Sequence, residues 1–247
     1  MAEAGLRLAV VGLGHWGEKL ARAFGSVGRA EVSAVCDVAL AARTRAAEVV
    51  PRADVAGSMS ELLARGGVSA AIIATPPATH AELGLSALEA GLDVFLEKPM
   101  SLTLDDACAL ERAAARAGRR LMVGHILEYH PAIVALSGMI RRGELGAIRL
   151  IVSERLGPSV SRHESVWWSL GPHDVSVMRF LTGVEPTRVS VAGTDDVVAA
   201  RIDAPNGMVA LAHLSFDCPE KVRRTVVVGS EGVAVFDDAE GASLELF

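Results

Sequence analysis

At 247 residues, 51% hydrophobic and 22% charged, the chain has the composition of a soluble α/β protein with room for one large domain or two ordinary ones. Its net charge of −6, with arginine pairs scattered at Arg119-Arg120, Arg141-Arg142 and Arg223-Arg224, excludes the concentrated basic stripe of a nucleic-acid surface. Cys36, Cys108 and Cys218 are odd in number, far apart and without a CxxC, which argues against a disulfide framework and a cysteine zinc site.

The N-terminal "MAEAGLRLAVVG" has no basic leader, and no apolar run reaches the roughly 18–20 residues of a membrane helix. A cytoplasmic protein without a membrane partner is the expectation.

In chain order, strands are predicted at 8–11, 32–36, 70–74, 94–96 and 121–123. A helix after the first strand is expected to bury Trp16, Leu20, Ala23 and Phe24. Another runs over 103–117, with Thr103 as N-cap and Asp105 and Asp106 in its positive first turn. Strand and helix alternating in this way imply a doubly wound parallel sheet of the Rossmann kind. After residue 124 the rhythm changes. A helix is predicted from Pro131 to the Gly143 region, a strand at 148–153 and a short helix at 174–181. From Arg188 onward, alternating segments separated by Asn206-Gly207 and Gly229–Gly232 read as antiparallel hairpins. The expected organisation is a dinucleotide-binding domain over 1–123 and a second α/β domain over 124–247 with an open, mostly antiparallel sheet. Without a flexible linker, the two are expected to pack closely around a shared cleft.

"VVGLGHWG" places Gly12, Gly14 and Gly17 in G-x-G-x-x-G spacing after an apolar strand and before an amphipathic helix, the context that makes this pattern informative. Gly12 permits a tight turn, Gly14 a close backbone approach to a pyrophosphate, and Gly17 close helix–strand packing. His15 and Trp16 complete the loop expected to touch the cofactor. Asp37 ends the second strand, where a carboxylate accepts from a ribose diol. It would also repel a 2′-phosphate, by about 4 kcal/mol for unit charges near 4 Å at an effective dielectric of 20. NAD is therefore favoured over NADP, although Arg43 or Arg45 would weaken that preference if the loop folded back, and Asp37 has a competing role as a helix cap. "ATPPATH" follows the strand at 70–74 and puts Thr75, Pro76 and His80 at the sheet edge where ligands bind, His80 as cofactor-side support.

"GLGHWGEKL", "ATPPATH", "EKPM" and "GPHD" occur in order, and together they resemble the Gfo/Idh/MocA oxidoreductase family. "GHWG", "GHILEYHPA" and "SERL" with "ESVWWSLGPHD" are most similar to its nucleotide-sugar branch. The resemblance implies a Rossmann domain followed by an α/β domain whose open sheet serves as an oligomer interface. The activity it implies is an NAD(P)-dependent oxidoreductase acting on a sugar or nucleotide-sugar hydroxyl. It maps the catalytic lysine of the E-K-P motif onto Lys98, one of only three lysines among 24 basic residues. Glu97 would orient Lys98 or contact cofactor ribose. A lysine trades protons more readily than an arginine, which suits removal of a hydroxyl proton as hydride departs. The family's catalytic histidine maps onto His173, expected at a helix start. Many members carry an aspartate four residues earlier. This chain has Ser169 there, with Asp174 or Glu164 as stand-ins.

From "GHILEYHP", His130 is the best candidate to touch substrate, with His125, Glu128 and Tyr129 in packing or supporting roles. The spacing of His125 and His130 does not suit a metal, and none is expected. Arg155, Arg162 and His163 would form a positive patch for a phosphorylated or acidic sugar. The expected substrate-binding set is thus His130, Arg155, Arg162 and Asp174. Family members continue past the last strand, so the chain is expected to be short at its C-terminus. Two rival readings stand beside a dehydrogenase: a cofactor-sensing regulator without turnover, and an enzyme with tightly bound NAD and no net redox change.

Overall fold

The computed structural model describes residues 5–158, 164–239 and 241–247. The chain divides into two units, Met1–Gly124 and His125–Phe247.

In the first unit, β1 (Leu6–Val11), β2 (Ala30–Cys36), β3 (Asp54–Ala56), β4 (Ala70–Ile73), β5 (Asp93–Leu96) and β6 (Leu121–Val123) form a parallel sheet in the order β3-β2-β1-β4-β5-β6. The helices are α1 (His15–Gly25), α2 (Leu40–Val49), α3 (Met59–Arg65), α4 (His80–Glu89) and α5 (Leu104–Ala117). Successive side chains of β1 alternate between two cores, as the pleat requires. Leu8 and Val10 pack with Leu20, Ala21, Ala42 and Ala46. Ala9 and Val11 pack with Leu62, Leu88 and Leu110. The strand order reverses between β1 and β4, which places the ligand crevice of such folds at their C-terminal ends.

Thr103 caps α5 as expected, its hydroxyl accepting from the Asp106 N–H. The α1 face differs from expectation. Gly17, Leu20 and Ala21 are buried and Phe24 packs against their core, whereas Trp16 and Ala23 are exposed. The reason is Gly17: a Cβ there would stand 1.8 Å from the Gly12 carbonyl oxygen. The helix approaches β1 at its glycine, and that contact fixes which side turns inward. The short β3 and α3 were not anticipated.

In the second unit, a 3-10 turn (Ile126–Tyr129) leads into α6 (Pro131–Arg141), β7 (Leu150–Leu156) and α7 (Val166–Thr182). Then follow β8 (Arg188–Gly193), β9 (Val197–Asp203), β10 (Val209–Ser215), β11 (Val222–Val228), β12 (Val233–Asp237) and β13 (Ser243–Leu246). The sheet order is β13-β12-β11-β7-β10-β9-β8, with β7–β10 parallel and the other pairs antiparallel among the described residues. Val198, Ala200 and Ile202 of β9, with Ala210, Ala212 and Leu214 of β10, are buried on the helix side. Ala199, Arg201, Leu211 and His213 alternate with them on the other face and are exposed. Helix α7 begins eight residues before the predicted 174–181. Pro172 lies inside the helix. The loss of one backbone donor is outweighed by burial of Val166, Val177, Met178 and Leu181.

Candidate active site

In the first unit, the loop between β1 and α1 divides its labour among three glycines. Gly12 has φ +89°, and a Cβ there would meet Ala74 O at 2.8 Å. Gly17 carries the close helix–strand contact described above. Gly14, the N-cap of α1, has nothing within 4 Å of where a Cβ would be. With no side-chain cap, the first N–H groups of α1 are left to an anion, and a backbone can approach them closely.

Beside this loop lies a cavity of about 250 Å³ lined by Gly12, Gly14, Asp37, Val38, Met59, Thr75, Pro76 and Leu83, among others. Asp37 lines this cavity. Its Oδ2 accepts from the Leu13 N–H at 2.7 Å and its Oδ1 from the Ala39 N–H at 2.8 Å, bracing the glycine loop and the start of α2. Each oxygen keeps a further lone pair for a ligand hydroxyl. Arg43 does fold back, but onto the Asp37 and Val38 carbonyl oxygens, at 2.8 and 2.9 Å. Arg45 pairs with Glu18. Cys36 lines the same cavity as a free thiol, pushed up to about 11 by burial first and by the neighbouring Asp37 second.

Lys98 follows β5, at the same edge of the sheet, and is half-buried. Its neighbour Glu97 is buried. Glu97 Oε1 accepts from the Trp16 indole N–H, and Oε2 from the Lys98 backbone N–H at 3.2 Å. Burial pushes the Glu97 carboxyl above its ordinary range, against the opposing pull of the Trp16 and Lys98 hydrogen bonds. Gly124 leaves room for it: a Cβ there would lie 3.1 Å from Glu97 Oε1. The Lys98–Pro99 peptide is cis. His80 is fully buried, its ring nitrogens facing the carbonyl oxygens of Pro99 and Thr75. It supports the loop from within and does not line the cavity. His15 and Trp16 occupy the first turn of α1 on the exposed side, with Lys19 Nζ 5.0 Å from the Trp16 ring.

In the second unit, His173 lies near the middle of the 17-residue α7 and not at a helix start. Ser169 is one helical turn earlier. Asp174 does not replace the missing aspartate. It is buried, and its Oδ1 accepts from Ser153 Oγ and, at 2.6 Å, from Arg155 Nε. Arg155 is likewise buried, its guanidinium turned to Asp174 and not to a surface positive patch. They join α7 to β7 in the interior of the unit. Arg223 stands opposite Arg155 in the β7–β11 pair. Burial lowers its proton affinity, and the nearby Arg155 guanidinium adds to that. Arg223 went unnoticed in the sequence because it reads as one of a solvated arginine pair.

His130 caps α6, its Nδ1 accepting from the Ala132 N–H at 3.3 Å. Its Nε2 stands 3.9 Å from Asp238 Oδ1. Glu128 is pushed up by burial, with Arg179 opposing. Arg162 and His163 lie outside the described residues. Among the described residues there is no group of three or more His, Cys, Asp or Glu side chains that could hold a metal, and no helix long and apolar enough to cross a membrane.

Residues 6–125 match the family model for the "Oxidoreductase family, NAD-binding Rossmann fold" (GFO_IDH_MocA), and residues 133–235 match the "GFO/IDH/MocA C-terminal domain". The chain is 34% identical to UDP-N-acetylglucosamine 3-dehydrogenase of Acidithiobacillus ferrooxidans over 94% of its own length and 74% of the relative's. It is 31% identical to inositol 2-dehydrogenase 1 of Paenarthrobacter aurescens over 83% of its length, and spans 65% of that relative. The crystal structure of GenD2 from gentamicin A biosynthesis in complex with NAD superposes with a TM-score of 0.89 at 26% identity, covering 96% of this chain and 73% of that one.

Proposed function

The chain belongs to the GFO/IDH/MocA oxidoreductase family, and from that premise we propose that it transfers hydride between NAD and a carbinol or keto carbon of a sugar or nucleotide-linked sugar. One observation carries the reading: the glycine cradle, the Asp37 cavity and the Glu97-braced Lys98 all stand at the C-terminal edge of one parallel sheet.

The cradle fits a dinucleotide. The uncapped N-terminus of α1 and the open side of Gly14 suit a pyrophosphate, and Asp37 suits a ribose diol. When bound, NAD supplies the hydride acceptor or donor. Lys98 takes the hydroxyl proton in oxidation, or returns it in reduction, and its ammonium form steadies the charge that develops on oxygen. An arginine at 98 would hold its proton too firmly for the first task. His173 shares the proton transfer, and Ser169 leaves it without the family's usual carboxylate one turn away. The relatives named for UDP-N-acetylglucosamine and inositol suggest the two substrate classes to try first, the former favoured by the "GHWG", "GHILEYHPA" and "ESVWWSLGPHD" segments. The exposed face of the second sheet, with Leu211 among its side chains, suits a second copy of the chain. The three cysteines are free thiols, in keeping with a reducing cytoplasm.

The test is to mix the protein with NAD and, separately, UDP-N-acetylglucosamine and myo-inositol, and to follow absorbance of the reduced nicotinamide. Reduction with either supports the proposal. Tight NAD binding with no reduction and no product would overturn it in favour of a sensor, the reading that Ser169 favours.

A further inference from the structure

His80 has a carbonyl oxygen at each ring nitrogen. Pro99 O lies 2.8 Å from Nδ1, and Thr75 O lies 2.9 Å from Nε2. A backbone carbonyl oxygen can only accept, whereas a neutral imidazole carries one N–H and one lone pair. In either neutral tautomer, one nitrogen lone pair would face an oxygen lone pair at hydrogen-bonding distance. The ring has 0% exposure, so solvent does not reach it to relieve that contact. Only the doubly protonated ring donates to both oxygens.

A buried cation needs a counter-ion. Glu97, itself only 7% exposed, is within electrostatic reach of His80. The other cationic side chain acting on that carboxyl is Lys98. One carboxylate thus stands between two basic groups, inside the segment that carries the proposed chemistry. The two bonds also join two functional segments. Thr75 lines the cavity beside the glycine loop, and Pro99 is the residue after Lys98.

We propose that His80 is a positioning residue held as a buried imidazolium, donating to Thr75 and Pro99 with Glu97 as its counter-ion, so that one ring ties the cofactor loop to the Lys98 turn. The inference rests on the first unit alone and stands whether or not the protein turns over a sugar.

The experiment is ¹⁵N NMR of the intact chain labelled at histidine, without added cofactor. Its His80 ring nitrogens are identified by couplings across the hydrogen bonds to carbonyl carbons of Thr75 and Pro99. The expected result at neutral pH is two protonated-type ring nitrogens, each with a slowly exchanging proton. A non-protonated nitrogen at either position would overturn the proposal. In Glu97→Gln the counter-charge is gone, and one His80 nitrogen should turn non-protonated at a pH where the wild type keeps both protons. Retention of both would remove Glu97 as the counter-ion. The wild-type spectrum decides the protonation state even if that variant fails to fold.

Discussion

The indole N–H of Trp16 donates to Glu97 Oε1 across 81 residues of sequence. Trp16 stands inside the glycine motif proposed to cradle a dinucleotide, and Glu97 immediately precedes Lys98. The glycine loop and the turn that bears the proposed proton carrier are therefore braced against each other within one unit.

Removing that donor should be felt. Trp16→Phe keeps an aromatic ring but leaves a buried carboxylate oxygen short of a partner, which typically costs about 1–3 kcal/mol. Urea unfolding followed by circular dichroism should show a lower midpoint. An unchanged midpoint would mean the contact does not hold the two segments together.

Glu97 sets a pH dependence whose sign follows from its environment. Burial raises its folded-state affinity for a proton above the ordinary value of 4.5. A raised value means that the native chain binds more protons than the unfolded one, so the contribution to stability is full below 4.5 and is lost as pH rises through the folded value. The unfolding free energy of the wild type minus that of Glu97→Gln should fall over this window and be level below it. A difference that climbs with pH would contradict the assignment.

Asp37 should govern cofactor choice. Its carboxylate lines the cavity, Arg45 is paired with Glu18, and Arg43 is held on the Asp37 and Val38 carbonyl oxygens. A repulsion of about 4 kcal/mol against a 2′-phosphate corresponds to roughly a thousandfold preference for NAD. Asp37→Asn, which keeps an oxygen for one of the two backbone bonds, should narrow the ratio of the two dissociation constants by at least about tenfold. Calorimetric titration with NAD and NADP gives that ratio directly.

The pair Arg155–Asp174 should matter for stability and not for substrate affinity. Breaking a buried ion pair from one side typically costs about 3–5 kcal/mol, because the remaining charge is left unpaired. Here the remaining guanidinium would also face Arg223. Asp174→Asn should lower the denaturant midpoint accordingly, while joint replacement of Arg155 and Asp174 by apolar residues should recover much of the loss. A variant as stable as the wild type would contradict the reading.

Much of the first unit was legible because its signals are local. Glycine spacing, the acid at the end of β2 and the Thr103 cap each act within a few residues. The three-residue β3 is too short to show a period. Trp16 looked like a core residue from its helical spacing with Leu20, Ala23 and Phe24, but the inward face of α1 is set by a backbone contact at Gly17. Helix α7 starts before its predicted position because tertiary packing carries it through Pro172, although proline disfavours helix interiors. The least legible features were pairings between distant elements. Nothing local tells that Trp16 finds Glu97, or that Arg155 spends its charge on Asp174.

The central claim is that Lys98 carries the proton which must leave with the hydride. The most direct measurement is single-turnover reduction of NAD by Lys98→Met on whichever substrate the wild type oxidises, alongside the NAD dissociation constant of the same variant. The rate should fall by about 10²–10⁴, the usual worth of a positioned acid–base group, with NAD affinity nearly unchanged. A variant that reduces NAD at the wild-type rate would contradict the account.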